Sequence, residues 1–316
     1  MKSSAGHANS GARSPLGDLF ALRRPVILDG AMGTELQRRG IETGLPLWSA
    51  NALLSSPETV RQIHVDYVRA GADIITSNTF RTTRRTFRRA GLPDRSARLS
   101  DLAVSLAKEA RAGYPDRPLM IAGSMAPLED CYHPELVPPQ PELREEHAEN
   151  AQRLTEAGVD FLLLETMGTI REALAAAEAA RATGKEFVAS FLCNAHGSLY
   201  DGESLQDAVY AIAPLLPSAF SINCVSPRSM ELPLKNMLLA VRNLSGTHVV
   251  PLAVYANVGV PGGEHGDELI PDVGPDEYGE CARRWVRKGV AIIGGCCGTT
   301  PEHITAVKRA LRTIVL

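Results

Sequence analysis

Two cysteines stand side by side in AIIGGCCGTTPEHI (residues 291–304), behind a pair of glycines and just before a helix-like segment. Adjacent thiols can ligate a soft metal ion, take part in redox exchange, or lie buried as small hydrophobes. A disulfide between neighbours would be strained, and reducing surroundings disfavour it. A third thiol, Cys224, ends the apolar run AFSINC (219–224), and two carboxylates, Asp29 and Glu165, end PVILD (25–29) and FLLLE (161–165). By spacing alone the thiol trio is not a strong zinc signal, because it lacks C-x-x-C pairs. Cys131, Cys193 and Cys281 read as small buried hydrophobes.

The elements that would position these residues repeat along the chain. AGADIITSN (70–78), AGVDFLLLE (157–165) and KGVAIIGG (288–295) each follow a helix-like segment and place a Gly before a short apolar run. Ser56 can cap, and Pro57 can start, a helix whose Val60, Ile63, His64, Tyr67 and Val68 share one face; Tyr278, Cys281, Ala282, Trp285 and Val286 repeat those offsets. Adding PVILD, LMIAGS (119–124), EFVASFL (186–192), AFSINC and VVPLAVY (249–255) gives eight strand candidates. Their apolar runs are continuous, which predicts parallel strands covered on both faces, and eight units predict a (β/α)8 TIM barrel. An open doubly wound sheet fits less well, because DGAMGTELQRRG after the first strand lacks the G-x-G-x-x-G spacing. In a barrel the site lies at the C-terminal strand ends. Those ends read Asp29-Gly30, Thr76-Ser77-Asn78, Ser124, Glu165-Thr166, Cys193-Asn194, Asn223-Cys224, Tyr255-Ala256-Asn257 and Gly294 to Cys297.

Composition bounds the rest. The chain has 316 residues, 44% hydrophobic and 22% charged, with net charge −3, so no global attraction to nucleic acid or anionic membrane is expected. No apolar run is long enough to span a bilayer and no secretory h-region opens the chain, which reads as cytoplasmic. Residues 1–20 read as a disordered leader and 21–316 as one barrel domain. A homo-oligomer is left open.

From Pro25 to Ala310 the sequence resembles the homocysteine S-methyltransferase family, to which betaine-homocysteine methyltransferase and the homocysteine module of cobalamin-dependent methionine synthase belong. The resemblance rests on ILDGAMGTELQRRG, PLWSA, HVDYVRAGADIITSNTF, LLLET, DGESL, INCVSP and GGCCGTTPEHI. It implies a Zn2+ ion held by Cys224, Cys296 and Cys297, with the fourth place taken by the thiol of L-homocysteine. It also implies that Asp29 and Glu165 hold the substrate amino group, while Gly30 and Ser77, Asn78 and Thr79 meet its carboxylate. The methyl donor would be S-methylmethionine, S-adenosylmethionine or a betaine-like cation. PLWSA leans toward the first two, whereas YANVG after the seventh strand and Arg81 after the second depart from the pattern. Trp48, Phe80, Tyr132 and Tyr255 are candidate walls for a cationic donor, and the long loops 126–143 and 257–277 are candidate lids.

Two other readings use the same residues. GGCCGTTPEHI could be a phosphate loop, with Thr300 as cap and Pro301 at the first helical position, serving a lyase or isomerase. No lysine ends a strand to support it. A non-enzymatic zinc-storing or thiol-sensing barrel is the third reading. The five arginines of RTTRRTFRRAG (81–91) sit at helix-like offsets and read as a solvated face rather than a nucleic-acid site. His64, His133 and His303 show no metal spacing with the cysteines.

Overall fold

A computed structural model describes residues 14–244, 250–262, 268–270, 272–312 and 314–315. The expected strands form at β1 (Val26–Ile27), β2 (Ile74–Thr76), β3 (Met120–Met125), β4 (Phe161–Met167), β5 (Phe187–Leu192), β6 (Ala219–Asn223) and β7 (Leu252–Ala256). A small antiparallel pair, β8 (Val260–Gly262) with β9 (Glu268–Ile270), precedes the last barrel strand, β10 (Val290–Gly295). The eight barrel strands are parallel in the order β1-β10-β7-β6-β5-β4-β3-β2, and a bridge between Leu28 and Ile74 joins the two ends. The protein is a single (β/α)8 barrel.

Alternation along each strand divides two cores. Ile27, Ile75, Ile121, Leu162, Leu164, Phe220, Ile222, Val254 and Ile293 face the surrounding helices. Val26, Leu28, Ile74, Met120, Ala122, Phe161, Leu163, Val188, Ala253 and Ile292 fill the barrel interior. Strands buried on both sides have no polar alternation to display, which is why their sequences read as unbroken apolar runs.

The helices before the junctions form as their offsets require. Helix Pro57–Ala70 buries Val60, Ile63, His64, Tyr67 and Val68, and helix Pro275–Arg287 buries Tyr278, Cys281, Ala282, Trp285 and Val286. Ser56 stands at the N-cap position but its side chain makes no cap bond, its φ of −152° and ψ of 54° turning the hydroxyl away.

The segment 1–20, expected as a disordered leader, holds a helix. Pro15–Phe20 form a helix capped by Ser14, whose Oγ accepts the Gly17 N–H at 3.0 Å. Leu16 and Leu19 of that helix are buried with the interior core. Glu186, at the start of β5, accepts the Ser14 hydroxyl at 2.8 Å and the Leu16 N–H at 3.1 Å. The helix therefore closes the N-terminal end of the barrel. Residues 1–13 lie outside the described residues, as does part of the 257–277 loop. Among the described residues no helix is long and apolar enough to cross a membrane.

Candidate active site

The three cysteines singled out by sequence meet at the C-terminal end of the strands. The ligand atoms of Cys224, Cys296 and Cys297 all lie within 4.8 Å of one another, and among the described residues no fourth Cys, His, Asp or Glu joins them. Cys224 and Cys296 are drawn together as a disulfide, their Cα atoms 5.6 Å apart. Reduced, the two would offer thiols for ligation beside Cys297.

Local backbone chemistry builds this convergence. Cys224 adopts φ +54° and Thr166 φ +63°, left-handed conformations that a side chain usually avoids. Asn223 holds Thr166: its Oδ1 accepts the Thr166 N–H at 2.9 Å and the Ser190 hydroxyl at 2.7 Å, and its Nδ2 donates to Thr166 Oγ1 at 2.8 Å, while the Cys224 N–H donates to the Tyr255 carbonyl at 3.3 Å. Around the other two cysteines, Gly298 is left-handed at φ +80°, and a Cβ there would collide with the Val258 carbonyl oxygen. The loop is tied down by Thr34 Oγ1, which accepts the Gly298 N–H at 2.9 Å, and by Thr299 Oγ1, which donates to the Cys296 carbonyl at 2.7 Å. Tyr278 Oη donates toward the Gly294 carbonyl at 2.6 Å, and Tyr67 Oη toward the Ala31 carbonyl at 2.8 Å. Sequence reasoning placed Tyr67 and Tyr278 on buried helix faces but missed these bonds. A phenol on an apolar face aimed at a strand end was the available signal.

Burial raises the Cys297 thiol to about 11, with Glu165 adding to the rise. A buried thiol in that position stays protonated unless a cation meets it. Three soft sulfurs without a hard oxygen suit zinc, and three protein ligands are the number found where a fourth place serves chemistry. The residues fit such an ion.

Asp29 and Glu165 are both buried, and neither has an arginine, lysine or histidine partner among the described residues. Asp29 does not cap the helix after it, whose N-cap is Met32; its Oδ2 accepts the Thr76 N–H at 2.7 Å and its Oδ1 the Thr76 hydroxyl at 2.8 Å. Desolvation raises Asp29 to about 8, the Thr76 bonds pull it back, and Glu165 pushes it up again. Desolvation likewise raises Glu165 to about 7, against the hydroxyl it accepts from Ser124. Paired buried carboxyls of this kind call for a cationic guest.

Of the residues expected to meet the substrate carboxylate, several already have partners within the protein. The Ser77 hydroxyl donates to the Ala122 carbonyl at 3.1 Å and the Thr79 hydroxyl to that of Ser124 at 2.8 Å, so both are engaged in bracing the sheet. Asn78 Nδ2 donates to the Ser49 carbonyl at 3.0 Å, while its Oδ1 is buried without a partner among the described residues. Gly30 packs so closely against Tyr67 and Thr299 that a Cβ would meet them at 2.7 and 2.8 Å. The aromatic candidates separate. Tyr255 is buried, whereas Tyr132 is exposed and meets Tyr200 edge to face with ring centroids 5.3 Å apart. Trp48 packs over Gly33. Cys193 and Cys281 are buried as expected; Cys131, on the loop after β3, is only partly covered.

A (β/α)8 barrel with three thiols and two buried carboxyls gathered at the C-terminal strand ends has the layout of a barrel enzyme. The chain belongs to the homocysteine S-methyltransferase family, whose sequence profile matches residues 26–311. A homocysteine S-methyltransferase of Escherichia coli (strain K12) is 34% identical, with 93% of this chain and 98% of that protein covered. A selenocysteine Se-methyltransferase of Brassica oleracea var. italica is 31% identical over 90% of this chain and 88% of its own. The crystal structure of the homocysteine methyltransferase MmuM from Escherichia coli in its metallated form aligns with a TM-score of 0.77 at 32% identity, covering 94% of this chain and 99% of that one.

Proposed function

We propose that the chain transfers a methyl group from a small cationic donor to the sulfur of L-homocysteine, giving methionine, at a zinc site held by Cys224, Cys296 and Cys297. The observation that carries this reading is the convergence of three sulfurs beside two buried carboxyls at the open end of a barrel. Family membership and the metallated form of MmuM support it. Bound zinc lowers the pKa of a coordinated thiol and so supplies a thiolate at neutral pH.

The chain's own residues orient the acceptor. Asp29 and Glu165 take the homocysteine ammonium, the cation both lack in the free protein. Backbone N–H groups of Gly30 and Asn78 face its carboxylate, since the Ser77 and Thr79 hydroxyls are already committed. Transfer is a direct displacement. The homocysteine sulfur, its proton already lost to solvent, forms a bond to the donor methyl carbon. The bond from that carbon to the donor's sulfonium sulfur or quaternary nitrogen breaks, and its electron pair stays on the donor atom, which becomes neutral. S-methylmethionine, S-adenosylmethionine and betaine-like compounds all satisfy this balance.

The phosphate-loop reading is disfavoured by the start of helix Pro301–Leu311. There Thr300 and His303 form a reciprocal capping box, and the Thr300 hydroxyl donates to Glu302 at 2.5 Å. Its own cap and a carboxylate occupy the place an anion would need.

Metal analysis with a donor panel tests the proposal. About one zinc per chain is expected, lost in Cys224→Ser and Cys297→Ser together with methionine formation. Full methionine formation by zinc-free protein would overturn it.

A further inference from the structure

The barrel interior holds an idle polar group. Tyr255, near the end of β7, is only 3% exposed and stands in register with Asn223 of β6 and Gly294 of β10. It therefore lies between the two strands whose ends carry the thiols. Its carbonyl accepts the Cys224 N–H at 3.3 Å, and Cys296 packs against the interior group to which its ring belongs. Its hydroxyl is buried and finds no partner among the described residues. An unpaired buried hydroxyl is costly, and a ligand that meets it removes the cost.

The neighbouring carboxyls indicate what that ligand is. Alternation along β4 turns Glu165 inward with Phe161 and Leu163, where it accepts the Ser124 hydroxyl. The Asp29 carboxyl is drawn to the end of β2 by the Thr76 N–H and hydroxyl. Around the ring, β4 and β7 are three strands apart, and each is two or three strands from the β1–β2 junction where Asp29 is held. Two carboxyls and one phenol thus approach the barrel axis from three nearly evenly spaced directions. An ammonium group spreads three N–H donors in the same manner, one for each carboxyl and one left over.

Tyr255 can receive that third donor. Burial raises its phenol well above the usual range, Glu165 and Asp29 add to the rise, and Ser190 opposes it. The group is therefore a neutral hydroxyl, whose oxygen accepts one bond while its proton is offered to another acceptor. Ser190 suits as that acceptor, because its own proton is committed to Asn223 Oδ1 at 2.7 Å. Ser221, the other unpaired hydroxyl on the barrel strands among the described residues, stands two residues deeper on β6 than Asn223 and so further from the mouth.

We infer that Tyr255 is a further substrate-binding residue, its hydroxyl oxygen accepting the third N–H of the homocysteine ammonium beside Asp29 and Glu165. The inference rests on the methyl-transfer reading above. It moves Tyr255 from the donor side, where its ring was a candidate wall for a cation, to the acceptor.

The test measures binding of L-homocysteine and of 4-mercaptobutanoate, the same thiol acid without its amino group, to zinc-loaded wild-type and Tyr255→Phe proteins. Calorimetric titration without a methyl donor keeps turnover out of the measurement. Tyr255→Phe retains the ring and deletes only the hydroxyl. Homocysteine should bind the variant about 10- to 100-fold more weakly, the range for a hydrogen bond to a charged group. 4-Mercaptobutanoate should bind the two proteins alike, and their zinc content should be the same. Equal weakening of both ligands would overturn the inference, because the hydroxyl would then serve the carboxylate, the thiol or the packing of the pocket. Unchanged homocysteine affinity in Tyr255→Phe would overturn it as well. Wild-type protein that binds neither thiol would sink the methyl-transfer reading itself, whereas homocysteine held equally by both proteins sinks only the assignment of Tyr255.

Discussion

Glu165 shows how one side chain couples binding to stability. Its carboxyl is raised to about 7 by burial, far above the unfolded value near 4.3. Between those two values the folded protein binds more protons than the unfolded chain, so this group makes stability fall as pH rises, by up to about 1.4 kcal/mol per pH unit. An ammonium guest reverses the sign, because it selects the charged form. We expect the melting temperature of substrate-free protein to fall between pH 5 and 8, and Glu165→Gln to flatten that fall while weakening homocysteine binding at least tenfold. A calorimetric scan across pH with both proteins checks the first part and a titration the second. Homocysteine affinity in wild type should rise through the same window, since Asp29 and Glu165 must both shed protons to receive the cation.

At the scale of the element, the loop from Gly294 to Thr300 bends only because Gly298 can adopt φ +80° against the Val258 carbonyl. Gly298→Ala should cost about 1–3 kcal/mol in backbone strain, with more from the collision, and should displace Cys297 from its partners. Denaturant unfolding and zinc retention report the two effects. Much of this element was legible in the sequence. Unbroken apolar runs announced two-sided burial, and paired glycines beside paired thiols announced a tight turn at a strand end. The left-handed Thr166 and Cys224 were not legible, because neither is a residue that signals such a conformation, and the bonds from Asn223 that hold Thr166 come from another strand. Nor could periodicity show that Arg84, Arg85 and Arg89 meet carboxylates. Helical offsets place a side chain on a face without revealing which acidic residues of another helix wait opposite.

On the scale of the whole molecule, the six-residue helix Pro15–Phe20 was the element sequence reading missed. A short segment following a Ser- and Gly-rich stretch lacks the length that periodicity needs, and its partners belong to the interior of a barrel not yet assembled. Leu16→Ala should lower global stability by about 2–5 kcal/mol while leaving homocysteine affinity at low temperature near the wild-type value. Urea unfolding paired with a binding titration tests that split. The same helix stoppers the floor, and this governs traffic. A vessel open at one rim fills from the bottom and empties from the top. The amino acid seated among the carboxyls must arrive before the donor that covers it, and spent donor must depart before methionine can. With a donor whose spent form is not methionine, initial-rate analysis should accordingly give an ordered sequence, with methionine competing against homocysteine alone.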